Sequence, residues 1–294
     1  MLNEICTIND NNLSSIDLSH KKLLVDELES GKIVYFPKYA FNLKPNELAL
    51  LSESILAPKE KNISYDYAKN RLTGVADDKA ELKPLTNQFM HRFAEYAKEL
   101  IDEMIPQYNE SIIWGRTSYR PAEVRGRKTS KRKDDTKLHV DSFSASPVNG
   151  LRILRIFANI NPNGEPRVWH VGEPFTNLIT KFAKDIPPYS QIHAKFLKLI
   201  KKTKTLRSGY DHYMINLHDN MKLDLDYQEK VAKKRIDFPP ESTWIVFTDH
   251  VSHAALSGQY LLEQTFYLPV KAMQNPGLSP LKQWEEKLGL TLTM

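Results

Sequence analysis

The stretch Leu138-His139-Val140-Asp141-Ser142-Phe143, answered far downstream by Thr243-Trp-Ile-Val-Phe-Thr-Asp249-His-Val-Ser-His253, decides how this chain is read. In an extended strand residues i and i+2 point to the same side, so His139 and Asp141 present an imidazole and a carboxylate together. Three neighbouring residues cannot wrap one ion without strain, so the third ligand has to come from a distant strand, and His253 supplies it. Two imidazoles and one carboxylate occupy one face of an octahedral iron and leave the other open, the donor set of non-haem Fe(II) oxygenases. A bare His-x-Asp is common, so the surroundings carry the weight.

His250 is the rival third ligand. If Thr243 to His253 is one extended segment, the odd offset turns the two rings to opposite faces and only one reaches the ion. Ala254, Ala255 and Gly258 are small residues that leave room for a bound cofactor, which favours His253. His212 and His218 read as structural, and His20, His91, His170 and His193 have no ligand-like context.

Working outward, the first 110 residues read as mainly helical. Helices are expected over Leu13 to Glu29, Asn46 to Ile55 and Leu85 to Ile105, with a short strand Ile33 to Phe36. In the last helix Leu85, Phe89, Phe93, Tyr96, Leu100 and Met104 recur at three- and four-residue spacing, the pattern of an amphipathic helix packed on a sheet. From Ser111 the pattern turns to strands: Ser111 to Arg120, Leu138 to Phe143, Leu151 to Ile160, Tyr210 to Leu217, Thr243 to Thr248 and Leu261 to Val270. Pro162-Asn-Gly164, Pro187-Pro188 and Pro239-Pro240 punctuate them. Ligands on separate strands, with helices first, predict a mixed α+β fold: a double-stranded β-helix (jelly-roll, cupin-like) barrel braced by N-terminal helices. No linker breaks the chain, so residues 1–294 are expected to be a single domain, with 1–110 as helical bracing and 111–270 as the barrel core.

Composition bounds the rest. One cysteine, Cys6, rules out a disulfide framework and a cysteine zinc site. No apolar run is long enough to span a membrane, and Met1 to Asn12 lacks an apolar signal core, so a cytoplasmic protein is expected. The net charge is +5, which suggests an anionic partner. The charge is concentrated. Arg125 to Lys133 holds six basic residues in nine, just before His139, and is expected to be a substrate-facing loop. Lys195, Lys198, Lys201, Lys202, Lys204 and Arg207 form a second cluster, interleaved with an apolar stripe of Ile192, Phe196, Leu199 and Ile200 at helical spacing. A solvated helix face accounts for this cluster equally well.

Where an Fe(II) oxygenase draws its electrons from 2-oxoglutarate, the distal carboxylate demands a buried cation, most often a bidentate arginine. The strand after the last histidine commonly provides it, but here Leu261 to Phe266 contains none before Lys271. Arg152 and Arg155 lie in the apolar strand Leu151 to Ile160, where a buried arginine requires an anionic partner. They face opposite sides. Arg155, sharing its face with Asn159, is the preferred clamp, and Arg120, in Thr117-Ser-Tyr-Arg120-Pro121, is the second candidate.

These residues carry a family resemblance. Asp134 to Phe143, Arg152 to Pro162, Glu165 to Trp169 and Thr243 to Gln259, continuing through Glu263 to Phe266, resemble the Kdo 3-hydroxylases. That resemblance implies an Fe(II)- and 2-oxoglutarate-dependent dioxygenase, with ascorbate as reductant, that hydroxylates 3-deoxy-D-manno-octulosonic acid (Kdo) at C3 on lipopolysaccharide precursors. It implies His139, Asp141 and His253 as iron ligands and supports Arg120 and Arg155 as cosubstrate residues; Asn159, on the strand face of Arg155, is expected beside them. The implied partner is an anionic Kdo-containing glycolipid rather than nucleic acid, met through peripheral contact with the cytoplasmic face of the inner membrane. Arg167 and Trp169 are further candidates for substrate contact. The competing readings are a 2-oxoglutarate oxygenase acting on a protein side chain or metabolite, and a non-catalytic basic barrel that binds glycans or nucleic acid.

Overall fold

Alternation along one strand sorts this protein into layers. In the computed structural model, which describes residues 4–10, 13–127 and 129–293, the strand Arg152–Asn159 sends Leu154 and Ile156 into a core shared with helices. Its neighbour Phe157 goes into a separate core between two sheets. Period-two alternation produces this split, and it fixes which side chains reach the interior.

The larger sheet contains β1 (Ile5–Thr7), β2 (Ile33–Phe36), β3 (Ile63–Asp66), β4 (Arg71–Thr73), β5 (Ile113–Arg120), β6 (Arg152–Asn159), β9 (Ser242–Phe247) and β11 (Leu261–Leu268), in the order β1-β2-β9-β6-β11-β5-β3-β4. The smaller sheet contains β7 (Arg167–Val171), β8 (Lys234–Phe238) and β10 (His253–Ser257), in the order β10-β7-β8. Phe157, Trp244 and Leu261 from the first pack against Trp169, Phe238 and Ala255 from the second. The architecture is therefore the expected jelly roll, built as two facing sheets rather than a closed barrel.

On the outer face of the larger sheet lie α1 (Leu18–Glu29) and α2 (Lys83–Met104). Helix α2 buries Phe89, Met90, Phe93, Ala97, Leu100, Ile101 and Met104, close to the stripe expected from its spacing. Truncating a fully buried side chain such as Phe93 to alanine should cost about 3–5 kcal/mol. A second helical layer holds α3 (Phe175–Phe182), α4 (Gln191–Leu199), α5 (Gly209–Leu223), α6 (Leu225–Lys230) and the C-terminal α7 (Pro280–Leu288). Its core includes Leu178, Leu217 and Trp284, and reaches Leu138, Val140 and Ala254, the sequence neighbours of His139, Asp141 and His253.

Several expectations need correction. Tyr210 to Leu217 is part of helix α5, not a strand. Its buried side chains Tyr210, Tyr213, Met214, Leu217 and Met221 follow helical spacing, and Ser208 with Asp211 forms a capping box at its start. Asn46 to Ile55 is two 3-10 turns, Pro45–Leu50 and Glu53–Ile55. Ser52 accepts a local bond from Ser54 N–H, which competes with helix continuation. Leu138 to Phe143 is not a strand but an extended segment joined by a single bridge at His139. Thr243 to His253 is two strands with a turn between them: His250 and Val251 N–H both donate to Phe247 O. The first 110 residues, expected to be mainly helical, also contribute β1 to β4 to the larger sheet.

Candidate metal centre

Two backbone hydrogen bonds set the geometry of this centre. His139 N–H donates to His253 O at 3.0 Å, and His253 N–H donates to His139 O at 2.9 Å. This exchange is the close pair of an antiparallel ladder, and it holds the ring centroids 4.7 Å apart. Asp141 N–H donates to Thr248 O at 2.8 Å, tying the carboxylate's backbone to the turn after β9.

The rings are oriented by the same backbone. His139 donates Nδ1–H to Lys137 O and His253 donates Nδ1–H to Val251 O, each at 2.8 Å. A carbonyl can only accept, so Nδ1 carries the proton and the Nε2 lone pair remains for a metal. Ligand atoms of His139, Asp141 and His253 all lie within 4.8 Å of one another. Burial, reinforced at His139 by its partner ring, lowers both imidazole pKa values, so both rings are neutral donors. At Asp141 burial opposes the charge, but Arg155 foremost outweighs it and holds the carboxyl below the usual range. Arg155 Nη1 lies 3.0 Å from Asp141 Oδ2, an ion-pair contact without hydrogen-bond alignment. Two neutral nitrogens and one carboxylate oxygen fit a ferrous ion.

Beside the triad is a cavity of about 200 Å³ lined by Arg120, Arg155, Arg167, Asp135 and Glu263, with Phe143, Phe157 and Trp169 as apolar walls. Arg120 donates to Glu263 Oε2 from Nη2 at 2.9 Å and from Nε at 3.2 Å. Arg155 Nη1 lies 3.4 Å from Glu263 Oε1. Burial opposes the charge of Glu263, but Arg155 and Arg120 keep its pKa low. Arg167 differs from both. It is 5% exposed, makes no ion pair among the described residues, donates from Nη1 to Gly258 O at 2.9 Å, and leaves Nε without a partner. Burial and the neighbouring Arg120 lower its pKa to about 10. Gly258 makes room for it: at φ +118°, an added Cβ would lie 2.9 Å from the Cα of Arg167.

The other side of His139 opens into a vestibule of about 490 Å³, lined by Lys61, Arg132, Lys133, Lys222, Asp135 and Ser142 among others. Asp135 faces both cavities. Lys61 and Lys222 each stand 3.6 Å from it, while Arg132 pairs with Asp219 at 3.0 Å. Burial works against the charge of Asp135, but Arg120, Lys61 and other cations bring its pKa down to about 2. One carboxylate thus stands between two ammonium groups, and Lys222 is itself buried.

The structure brings His139, Asp141, His253, Arg120 and Arg155 together, with Arg167 and Trp169 beside them; Trp169 stacks on His253 with centroids 5.0 Å apart. Asn159 is elsewhere. Its side chain donates to Phe238 O and Glu165 O and accepts from Asn161 N–H, which commits it to a turn, and it does not line the cavity. Arg152 faces away, as expected, and is fully buried against Asp249 at 2.7 Å. His250 lies in a different cavity with Gly31, Phe175 and Gln283. His253, not His250, thus stands with His139 and Asp141, although the single-strand parity argument for it does not hold. Ser130, Arg132 and Lys133 of the basic stretch reach the vestibule, while Lys128 lies outside the described residues. Sequence reasoning missed Glu263, Asp135, Lys61 and Lys222. Glu263 was findable, because a carboxylate inside Leu261-Leu-Glu263-Gln-Thr-Phe needs a buried cation.

A profile of the 3-deoxy-D-manno-oct-2-ulosonic acid (Kdo) hydroxylase family matches residues 13–291. Among solved structures, the chain is similar to the Kdo hydroxylase KdoO, a non-haem Fe(II) α-ketoglutarate-dependent dioxygenase. Its apo form is 43% identical with a TM-score of 0.94, covering 98% of this chain and 97% of that one. The form with α-ketoglutarate and Fe(III) is 43% identical with a TM-score of 0.93, over 98% of this chain and 97% of that one. For the cobalt(II) form the identity is again 43%, the TM-score 0.95 and the coverage 99% and 97%. No curated protein matches.

Proposed function

The chain belongs to the Kdo hydroxylase family, and on that premise we propose that it is a single-domain Fe(II)- and 2-oxoglutarate-dependent dioxygenase that hydroxylates the Kdo sugar at C3 on a lipopolysaccharide precursor. The observation that carries this reading is the pair of rings whose Nδ1 protons are fixed on backbone carbonyls and whose free nitrogens converge with Asp141 beside an arginine-lined cavity. Iron bound there with 2-oxoglutarate and dioxygen supplies the oxidant, giving hydroxylated sugar, succinate and carbon dioxide.

The protein's share is placement. His139, Asp141 and His253 would hold the iron. Three guanidiniums and three carboxylates line the cavity, so a divalent ion and a dicarboxylate arriving together leave its charge balanced. Arg120 and Arg155 already have Glu263 and Asp141. Arg167 makes no direct ion pair among the described residues, and a buried cation without one is costly. We therefore assign the distal carboxylate of 2-oxoglutarate mainly to Arg167. Arg120 flanks it, and Arg155 fixes the position of Asp141. Phe143, Phe157 and Trp169 exclude water around it. The anionic sugar enters from the vestibule, where Lys61 and Lys222 share Asp135 as their ion-pair carboxylate and otherwise donate to the carbonyls of Lys133 and Arg132, and can receive its carboxylate. No described helix is long and apolar enough to cross a membrane; the glycolipid is met by peripheral contact at the cytoplasmic face of the inner membrane.

The test is anaerobic loading with Fe(II), followed by 2-oxoglutarate, air and a Kdo-containing lipid precursor. Succinate release and one added oxygen on the sugar, located by mass spectrometry, are expected. Iron-dependent succinate release with another acceptor oxidised would leave a dioxygenase of different substrate. Binding of the glycan with no iron- or oxygen-dependent product would make the protein a binder.

A further inference from the structure

The apolar stripe on α4 points outward. Of twelve exposed large apolar side chains among the described residues, four fall within residues 192–200: Ile192 is 83% exposed, Phe196 53%, Leu199 78% and Ile200 45%. Isolated exposed leucines need no explanation, but a cluster of this density marks a contact surface. Only Ala194 of this helix is buried, so the face that should be covered in a free-standing protein is the uncovered one.

The charge around the stripe identifies the partner. Lys195, Lys198, Lys201, Lys202, Lys204 and Arg207 surround it, and residues 191–207 contain no Asp or Glu. The lysines that are described there are exposed. Exposed apolar side chains at helical spacing, flanked by cations without counter-charges, are the features of a helix lying in a lipid interface. Position adds a second argument. Lys204 N–H donates to Ala145 O and Arg207 Nη2 donates to Ser144 O, and Ser144 lines the vestibule that leads to His139 and Asp141. The patch therefore adjoins the mouth through which substrate would enter.

We infer that α4 and the following turn, residues 191–207, are a membrane-docking surface: Phe196, Leu199 and Ile192 enter the headgroup region of an anionic bilayer, and the lysines engage its phosphates. This deepens the reading of the vestibule as the port for a lipid-linked sugar, but the surface can be tested without that lipid.

The full chain is sedimented with vesicles of phosphatidylcholine containing phosphatidylglycerol and no sugar lipid, and with vesicles of phosphatidylcholine alone. Binding to the anionic vesicles only, weakened by raising salt, is expected, since exposed charges are largely screened at 1 M. Each lysine held at such a surface strengthens binding about fivefold, so Lys198→Glu with Lys201→Glu should weaken it by about 25-fold or more. Phe196→Ser with Leu199→Ser should abolish it. Uncoupled succinate production in solution should stay at wild-type level in both double variants, which shows that they are folded. Failure of the wild-type protein to bind anionic vesicles, or equal binding by the apolar variant, overturns the inference. So does a self-associated species in sedimentation velocity that Phe196→Ser with Leu199→Ser disperses, because the stripe would then be covered by a second copy. Vesicle binding that follows these expectations without any oxidation of Kdo would leave the surface standing and remove the substrate reading.

Discussion

Arg167→Met should uncouple two properties that a structural arginine would lose together. Methionine keeps much of the aliphatic volume beside Gly258 but removes the guanidinium whose Nε is unpartnered. The drop of its pKa from 12.5 to about 10 corresponds to roughly 3 kcal/mol of unfavourable burial and repulsion in the ligand-free protein. Removing the charge releases that cost, and freeing the Gly258 carbonyl returns about 1–3 kcal/mol of it. The melting temperature of the cosubstrate-free protein should therefore hold or rise. Binding of 2-oxoglutarate should weaken, because a buried charged pair is worth on the order of 2–5 kcal/mol, which is about 30-fold or more in KM. Differential scanning fluorimetry without cosubstrate, paired with succinate release against 2-oxoglutarate concentration, reads both quantities. A large fall in melting temperature with an unchanged KM would refute the reasoning and return the clamp to Arg155 or Arg120.

Arg155→Met should act differently, since its guanidinium touches Asp141 and Glu263; Fe(II) affinity should fall about 10- to 100-fold, measured by titration of the anaerobic protein. Asp141→Ala should leave a two-histidine site with weak iron affinity and no succinate release, and wild-type values of both would remove the triad assignment. His253→Ala should abolish turnover while His250→Ala retains it, because His250 faces a separate cavity with Gly31 and Phe175; the reverse outcome would move the metal. Lys222→Met should raise KM for the sugar substrate about tenfold or more and spare uncoupled 2-oxoglutarate turnover. Equal loss of both activities would show that Lys222 supports the fold rather than the substrate.

The grouping of His139, Asp141 and His253 was legible from sequence because its logic is local. The His-x-Asp spacing needs only an extended backbone, and the structure supplies one from a single bridge and the Asp141–Thr248 bond. The rest depended on tertiary partners. Arg155 and Arg120 are both placed at the cavity, but whether an arginine is free for a ligand depends on carboxylates that arrive from elsewhere, Glu263 on β11 and Asp141 across the sandwich. Arg167 shares the cavity with Asp135 and Glu263 but is in direct ion-pair contact with neither, and nothing in Glu165-Pro-Arg167-Val-Trp169 reveals that. Helix α5 was misread because Tyr210, Tyr213, Ile215 and Leu217 resemble a strand when taken alone, whereas the capping box at Ser208 and the spacing through Met221 define the helix. That error hid Lys222, which lines the vestibule with His218 from the same helix.

Strands β7 and β8 are antiparallel neighbours, and Val171 faces Lys234 at the last rung of their ladder. By the sheet's own connectivity, residues 172–233 are a hairpin loop, although they contain helices α3 to α6. The entropy of closing a loop rises by only about 0.6 kcal/mol when its length doubles, so such an insertion can lengthen or change sequence with little effect on the rung that anchors it. The insertion carries one wall of the vestibule, Ile215, His218, Asp219 and Lys222, as well as the exposed stripe of α4. His139, Asp141 and His253, with Arg120, Arg155 and Arg167, lie outside it. On the proposed reading the insertion bears on acceptor choice, yet it is joined to the metal site, because Gln228 accepts from Leu138 N–H and donates to Leu138 O beside His139: a transplanted insertion should leave succinate formation intact only if it keeps that contact.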